Sequence, residues 1–375
     1  MKKYRLLILI FLFLHSATYA SSFITLADIH FDPFLSCTTS PCPLIEKLRQ
    51  NPAAKWPHLL AIGQQDVANR YWQDSSYSLL ISALASAKQV TDTQQMQFVL
   101  VLGDFLAHQY KRHYKKFSSD KQLKDYPAFV QKTLEFLAME LRMSFPGLDI
   151  YAVVGNNDSS KNNYASIPHG VFFKETAMTW SGLITNKSNR DSMQREFPDC
   201  GYYAFNLPSQ HLRLIVLNTN IFSYKAQGRN IAAAVQTELT WLSHELILVK
   251  EQHEKALISM HIPPIYDIYT TPSTRLFTLM QLWKQSYMQQ FYQVLRSYSP
   301  QIMGIVAGHL HIDWMHILTL DNIEVPIMGT PSISPLYGNN PGFKVYTYSE
   351  NTNQFTGSMT YKLTLNGQLM GRKQQ

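Results

Sequence analysis

Phe98-Val-Leu-Val-Leu-Gly103-Asp104 is five apolar residues without a polar interruption, closed by a glycine and a carboxylate. The run is short for a helix, and a half-buried strand would alternate, so it reads as a strand covered on both faces, the kind that fills parallel sheets. The pattern recurs on either side. Phe23–Ala27 runs into Asp28-Ile-His30, Ile150–Val154 into Gly155-Asn156-Asn157-Asp158, Ala256–Ser259 into Met260-His261, and Met303–Ala307 into Gly308-His309-Leu-His311. Leu212–Leu217 is a sixth apolar run. Between them, Ser76–Val90, Ala128–Met143, Ala232–Lys250 and Arg275–Ser297 space their apolar residues by three and four, the helical period. Beyond residue 320 short strands and Gly/Pro/Asn turns take over. This alternation predicts an α/β fold with a β-rich end.

Composition agrees with a large core. The 375 residues are 45% hydrophobic and 16% charged, which excludes a disordered chain. The formal charge is +7. Part of it belongs to the first twenty residues, where Met1-Lys-Lys-Tyr-Arg5 precedes an apolar run from Leu6 to Leu14 and small residues up to Ala20. That three-part order predicts a secretory signal peptide, residues 1–20, too short to span a bilayer. Losing Lys2, Lys3 and Arg5 leaves +4. No later stretch is apolar over membrane-spanning length, and no nucleic-acid recognition module is present. With no repeat and no divider rich in Pro, Gly or Ser, residues 21–375 read as one domain of an exported, secreted or periplasmic protein. Export would let Cys37 and Cys42, which flank Thr-Thr-Ser-Pro, close a small loop, and Cys200 is left over.

Five strands thus end on side chains able to bind metal, at the edge where α/β sheets place their sites. A single His or Gly-Asp after a strand is usually structural, and a short motif alone carries little weight. Five in series outweigh that reading. Carboxylate, imidazole and amide ligands together suit divalent Mn, Fe or Zn, and there are enough of them for two ions.

The ordered series Asp28-x-His30, Gly103-Asp104, Gly155-Asn156, His261 and Gly308-His309-x-His311 resembles the calcineurin-like binuclear metallophosphoesterases, across about residues 23 to 350. Asp28-Ile-His30-Phe-Asp32-Pro, Asp104-Phe-Leu-Ala-His108, Met260-His-Ile-Pro-Pro264, Pro331-Ser-Ile-Ser-Pro335 and Asn340-Pro-Gly-Phe-Lys-Val-Tyr346 resemble its acid sphingomyelinase-like branch. The resemblance implies a four-layer α-β-β-α sandwich. It implies one metal on Asp28, His30 and His311, a second on Asn156, His261 and His309, and Asp104 bridging them. It further implies phosphodiester hydrolysis by a hydroxide held between the ions, attacking phosphorus in line.

One position departs from the family. Most relatives place His after the Gly-Asn of the third motif, where it helps protonate the leaving group; here Asn157 stands there. Its amide is no proton donor at neutral pH, although it can hydrogen-bond a phosphoryl oxygen. His108 then either delivers the proton or only orients a neighbouring ligand.

Substrate signals are thinner. Lys111-Arg-His-Tyr-Lys115-Lys116, followed by Lys121 and Lys124, is either a solvated loop or an attractor of polyanions. Trp56, Trp72, Trp180 and Trp241 fit a pocket or the core equally well. The six-cysteine signature of a saposin-type lipid module is absent, so soluble phosphorylated molecules and polyphosphate stand beside a phospholipid head group as expected substrates. An endopolyphosphatase-like or nucleotide-phosphate hydrolase is the alternative enzyme. A catalytically silent phospho-ligand-binding protein is the rival of another class, suggested by Asn157.

Overall fold

The computed structural model describes residues 20–207, 211–266 and 281–365, and the backbone of 369–374. The expected signal peptide, apart from Ala20, lies outside the described residues.

Two six-stranded sheets form the centre. The first contains β1 (Ala20–Leu26), β2 (Met96–Val101), β3 (Asp149–Ala152), β10 (Gly342–Ser349), β11 (Gln354–Leu363) and β12 (Leu369–Gln374), in the order β12-β11-β10-β1-β2-β3. The second contains β4 (Tyr203–Leu207), β5 (Leu212–Val216), β6 (Lys255–Met260), β7 (Ile302–Ala307), β8 (Met315–Leu320) and β9 (Ile323–Gly329), in the order β4-β5-β6-β7-β9-β8. Strands β1, β2 and β3 are parallel to one another, as are β5, β6, β7 and β9. The remaining pairs are antiparallel, which joins the β-rich C-terminal end to both sheets.

The sheets pack face to face through aromatic side chains. Tyr151 of β3 meets Phe205 of β4 with ring centroids 4.6 Å apart, and the Tyr203 hydroxyl donates to the Ala152 carbonyl at 2.9 Å. At Gly304 in β7, a β-carbon would come within 2.7 Å of the Phe355 ring on the opposite sheet, so glycine is what permits this approach. Helices flank the pair. α8 (Ile231–Glu251) packs on β5 and β6, while α3 (Tyr77–Thr93) and α5 (Tyr126–Ser144) pack together, with Phe136 of α5 against Phe31 just past β1. The four-layer α/β arrangement expected from the sequence is the one observed.

The six predicted strands appear within a few residues of their expected ends, because a run buried on both faces is a local signal. The helix expected over Arg275–Ser297 differs. Residues 275–280 lie outside the described residues, and the helix α9 (Gln285–Ser297) begins only at Gln285. Ahead of it the chain is held extended: the Lys284 N–H donates to the Phe222 carbonyl at 2.9 Å, and the buried Trp283 indole donates to the Ile262 carbonyl at 3.0 Å. These contacts override the helical period, which continues through Trp283 in sequence. Trp56 and Trp180 are core, whereas Trp72 is 73% exposed. Cys37 and Cys42 are joined by a disulfide, and Cys200 is a buried thiol. Among the described residues no helix is long and apolar enough to cross a membrane.

Candidate metal centre

The loops after β1, β2, β3, β6 and β7 meet at one edge, tied together by their own backbones. Asp28 N–H donates to the Gly103 carbonyl at 3.0 Å, His30 N–H to Asp104 at 2.9 Å, and Gly308 N–H to His261 at 3.1 Å. Gly155 carries the closest approach: a β-carbon there would stand 2.0 Å from the Asp104 nitrogen. Asp28, His30, Asp104, His309 and His311 all have φ between 44° and 71°. Left-handed backbone is costly for such residues and persists where the surroundings over-determine it, as at functional sites. Here it turns each side chain back over the strand ends.

The side chains converge on Asp104. Its Oδ2 lies 3.5 Å from His30 Nε2 and 3.3 Å from His261 Nε2, so one carboxylate faces two groups. On one side, His311 Nε2 is 3.2 Å from His30 Nε2 and 3.4 Å from Asp28 Oδ1. On the other, Asn156 Oδ1 is 3.1 Å from His261 Nε2, and the ligand atoms of Asp104, His261 and His309 lie within 4.8 Å of one another. The structure therefore brings together all seven side chains expected from the sequence, in two sets about Asp104.

The chemistry of this donor set fits a cation. His261 Nδ1 lies 2.7 Å from the Leu102 carbonyl and, as an N–H, can only donate to it, so a neutral imidazole presents a bare Nε2 lone pair to the site. Asn156 Nδ2 donates to Asn163 Oδ1 at 2.9 Å, which turns its oxygen inward. Imidazole nitrogen, amide oxygen and carboxylate oxygen then face one another with no hydrogen between them. Either a positive ion sits among them or His261 takes a second proton. Burial opposes that proton, but Asp104 and Asp28 outweigh it and push the imidazole up to about 9. Asp28 shows the same demand for positive charge: burial, reinforced by Asp104, pushes its carboxyl up to about 8. Burial also works against the Asp104 carboxylate, yet His261, His30 and the Asn157 N–H hold it well below the usual range.

The two residues expected to handle protons or phosphoryl oxygens are also at this edge. The His108 ring stacks on His30 with centroids 4.0 Å apart, and the His30, His108 and His311 nitrogens form a group of their own. Asn157 is turned onto Asp104: its backbone N–H donates to Oδ1 at 2.7 Å and its side-chain Nδ2 to Oδ2 at 2.8 Å. The amide nitrogen carries a second hydrogen, so this bond to Asp104 is compatible with the phosphoryl contact expected from the sequence. Asp74 and Asp158 also belong to this edge, neither of them expected there from the sequence. Asp74 holds His108, and Asp158 accepts the N–H groups of Phe105, Leu106 and Gly155 at 2.8, 3.1 and 2.8 Å, bracing the second and third loops together. Asp158 ends the quoted Gly-Asn-Asn-Asp and was legible as a candidate; Asp74 stands in a polar turn with no motif around it.

No established family profile matches the chain. It is 28% identical over 236 residues to sphingomyelinase phosphodiesterase D of Dictyostelium discoideum, covering 60% of this chain and 50% of that protein. It is 24% identical over 306 residues to the cyclic GMP-AMP phosphodiesterase SMPDL3A of Rattus norvegicus, covering 78% of this chain and 62% of that protein. The chain thus spans between half and two thirds of the length of these relatives. A dimetal phosphatase from Danio rerio aligns in structure with a TM-score of 0.51 at 13% identity, over 94% of this chain and 96% of that one, a likeness of fold. In sequence the chain is thus similar to phosphodiesterases of the acid sphingomyelinase-like branch, and in fold to a dimetal phosphatase.

Proposed function

We propose that the chain is an exported phosphodiesterase that hydrolyses its substrate at the Asp104 centre with two divalent ions, Zn, Mn or Fe. The observation that carries this reading is the meeting of His261 Nε2, Asn156 Oδ1 and Asp104 Oδ2 as three acceptors with no hydrogen between them, with His30 on the far side of the same carboxylate oxygen. Asp28, His30 and His311 would hold one ion, Asn156, His261 and His309 the other, and Asp104 both. Bound there, such ions supply an activated water and neutralise the charge that develops on the phosphoryl oxygens. His108 donates a proton to the leaving oxygen, oriented by Asp74, which favours its protonated form against burial. Asn157 orients Asp104 and leaves proton transfer to His108. Export agrees with the disulfide between Cys37 and Cys42 and with the basic-apolar-small order of residues 1–20. We read residues 21–375 as one catalytic domain.

Metal analysis paired with a bis-p-nitrophenyl phosphate assay tests the proposal. Two bound ions and turnover that disappears in Asp104→Ala support it. Two bound ions with no turnover, and none gained in Asn157→His, favour a silent phospho-ligand-binding protein.

A further inference from the structure

Helix α4 (Tyr110–Phe117) carries Lys111, Arg112, Lys115 and Lys116 and no acidic residue. The negative end of a helix explains Lys115 and Lys116 in its last turn. It does not explain Lys111 and Arg112, which sit in the first turn, where acidic groups are favoured. The four also form two like-charged pairs at four-residue spacing, Lys111 with Lys115 and Arg112 with Lys116, which disfavours the helix further.

Their surroundings leave the charge unanswered. Among the described residues no carboxylate lies within ion-pair distance of any of the four. The nearby acids are engaged elsewhere: Asp120 Oδ2 accepts from Asp125 N–H at 2.8 Å and the Tyr114 hydroxyl at 3.2 Å, and Asp125 pairs with Arg49 at 2.8 Å. Lys121 is taken up by the Ser40 hydroxyl and by the carbonyls of Lys115 and Lys116.

All four cations line a cavity of about 730 Å³. Its other wall is the loop after β3, contributing Asn157, Ser159, Asn162 and Asn163, and no acidic residue lines it. The cavity lies next to the metal centre: Asn157 in its wall donates to Asp104, and Asn163 in the same wall accepts from Asn156. Lys111 Nζ reaches across to Asn162 Oδ1 at 3.1 Å. Cationic and amide groups on both walls, beside a phosphoester centre and with room for a chain of groups, describe a binding place for a further anion of the same molecule.

We propose that this cavity binds a second phosphate of the substrate, so that the substrate class is an oligophosphate, a nucleoside polyphosphate or inorganic polyphosphate. This rests on the reading that the scissile phosphate sits at Asp104. The four cations disfavour a quaternary ammonium head group in the cavity.

The test uses the full chain loaded with manganese, and two variants, Lys111→Gln/Lys115→Gln and Arg112→Gln/Lys116→Gln. These side chains reach solvent, and circular dichroism verifies that both variants fold. Calorimetry with tripolyphosphate should show binding weakened about tenfold or more in either variant, with a shallower salt dependence. In kinetics, the KM for ATP and tripolyphosphate should rise about tenfold more than that for bis-p-nitrophenyl phosphate, which has one phosphate. An equal loss for both polyphosphates identifies the phosphate chain as the recognised part, and a loss for both that is larger for ATP identifies a nucleotide as its source. Unchanged binding and an equal KM effect on all three substrates overturn the proposal. If the binding loss appears but the parent chain turns over none of the substrates, the cavity stands and the hydrolase reading fails. If bis-p-nitrophenyl phosphate is hydrolysed and binding does not change, only the cavity fails.

Discussion

Asp74 grips His108 twice: its Oδ2 accepts the His108 backbone N–H at 2.8 Å, and its Oδ1 lies 3.0 Å from the His108 Nδ1. Ser334 donates to the same Oδ1 at 3.1 Å, so the carboxylate is itself held by a third segment. The imidazole is thereby fixed with its plane on His30 and its other nitrogen toward the metal-ligand group.

Asp74→Ala should therefore lower kcat on bis-p-nitrophenyl phosphate by about 10- to 100-fold with little change in KM, the range seen when an orienting partner is lost. Steady-state kinetics on folded, metal-loaded protein checks this. A purely structural Asp74 would instead lower the urea midpoint and leave kcat per folded molecule intact.

Asp104 faces both ligand sets, so removing it should cost both. Asp104→Ala is expected to lose bound metal from each set and to lower turnover by about a thousandfold or more, the scale of losing the main electrostatic stabilisation of a transition state. Elemental analysis of the purified variant beside the assay reads the two effects separately. Retention of two tightly bound ions would contradict the bridging role.

Asn157 contributes two of the bonds that orient Asp104, one from its backbone and one from its side chain. Asn157→Ala deletes only the second. We expect metal affinity to weaken about tenfold, at the lower end for loss of a group that orients a ligand. Competition titration with a metal chelator measures it, and unchanged affinity would mean that the backbone bond alone suffices.

A β-carbon at Gly155 would meet the Asp104 backbone nitrogen at 2.0 Å and Oδ1 at 2.2 Å. Both are held in place, so the backbones must separate. Gly155→Ala should destabilise the fold by about 1–3 kcal/mol, the usual cost of overpacking, and should also weaken metal binding. Urea unfolding of the metal-free variant isolates the first effect.

Glu238 on α8 is buried, with Oε1 accepting the Asn218 N–H at 2.8 Å and Oε2 without a hydrogen-bond partner. Burial, only partly opposed by that N–H, lifts its carboxyl well above the usual range. For an acid raised in the fold, the unfolded chain releases the proton first as pH climbs. Stability then falls with pH between the unfolded and folded values, by up to about 1.4 kcal/mol per pH unit. Glu238→Gln keeps the acceptor and removes the titration. Its thermal midpoint should match the parent near pH 4 and exceed it increasingly toward pH 8, and a constant gap would disprove the assignment.

Much of this centre was readable along the chain. Phe98–Leu102 and its counterparts are buried on both faces, which suppresses alternation and makes each strand a local signal. The ligands sit within a few residues of those strand ends, so their order and spacing survive in one dimension. The start of α9 was not readable, since Lys284 and Trp283 are held extended by bonds to Phe222 and Ile262, residues distant in sequence. The place of Asn157 was also hidden, because its two acceptors belong to Asp104, 53 residues away.

The run of residues alone establishes which side chains reach the sheet edge and in what order, for strand periodicity and glycine breaks are properties of neighbours. Which of them meet belongs to the tertiary structure. Asp74 and His108 are 34 residues apart, and Asp74 and Ser334 are 260 apart, with no pattern linking them. Only folding two sheets against each other puts those groups in hydrogen-bond range and aims two histidine nitrogens at one oxygen of Asp104. A hydrogen bond depends on distance and direction in space, and neither is written in the spacing of residues.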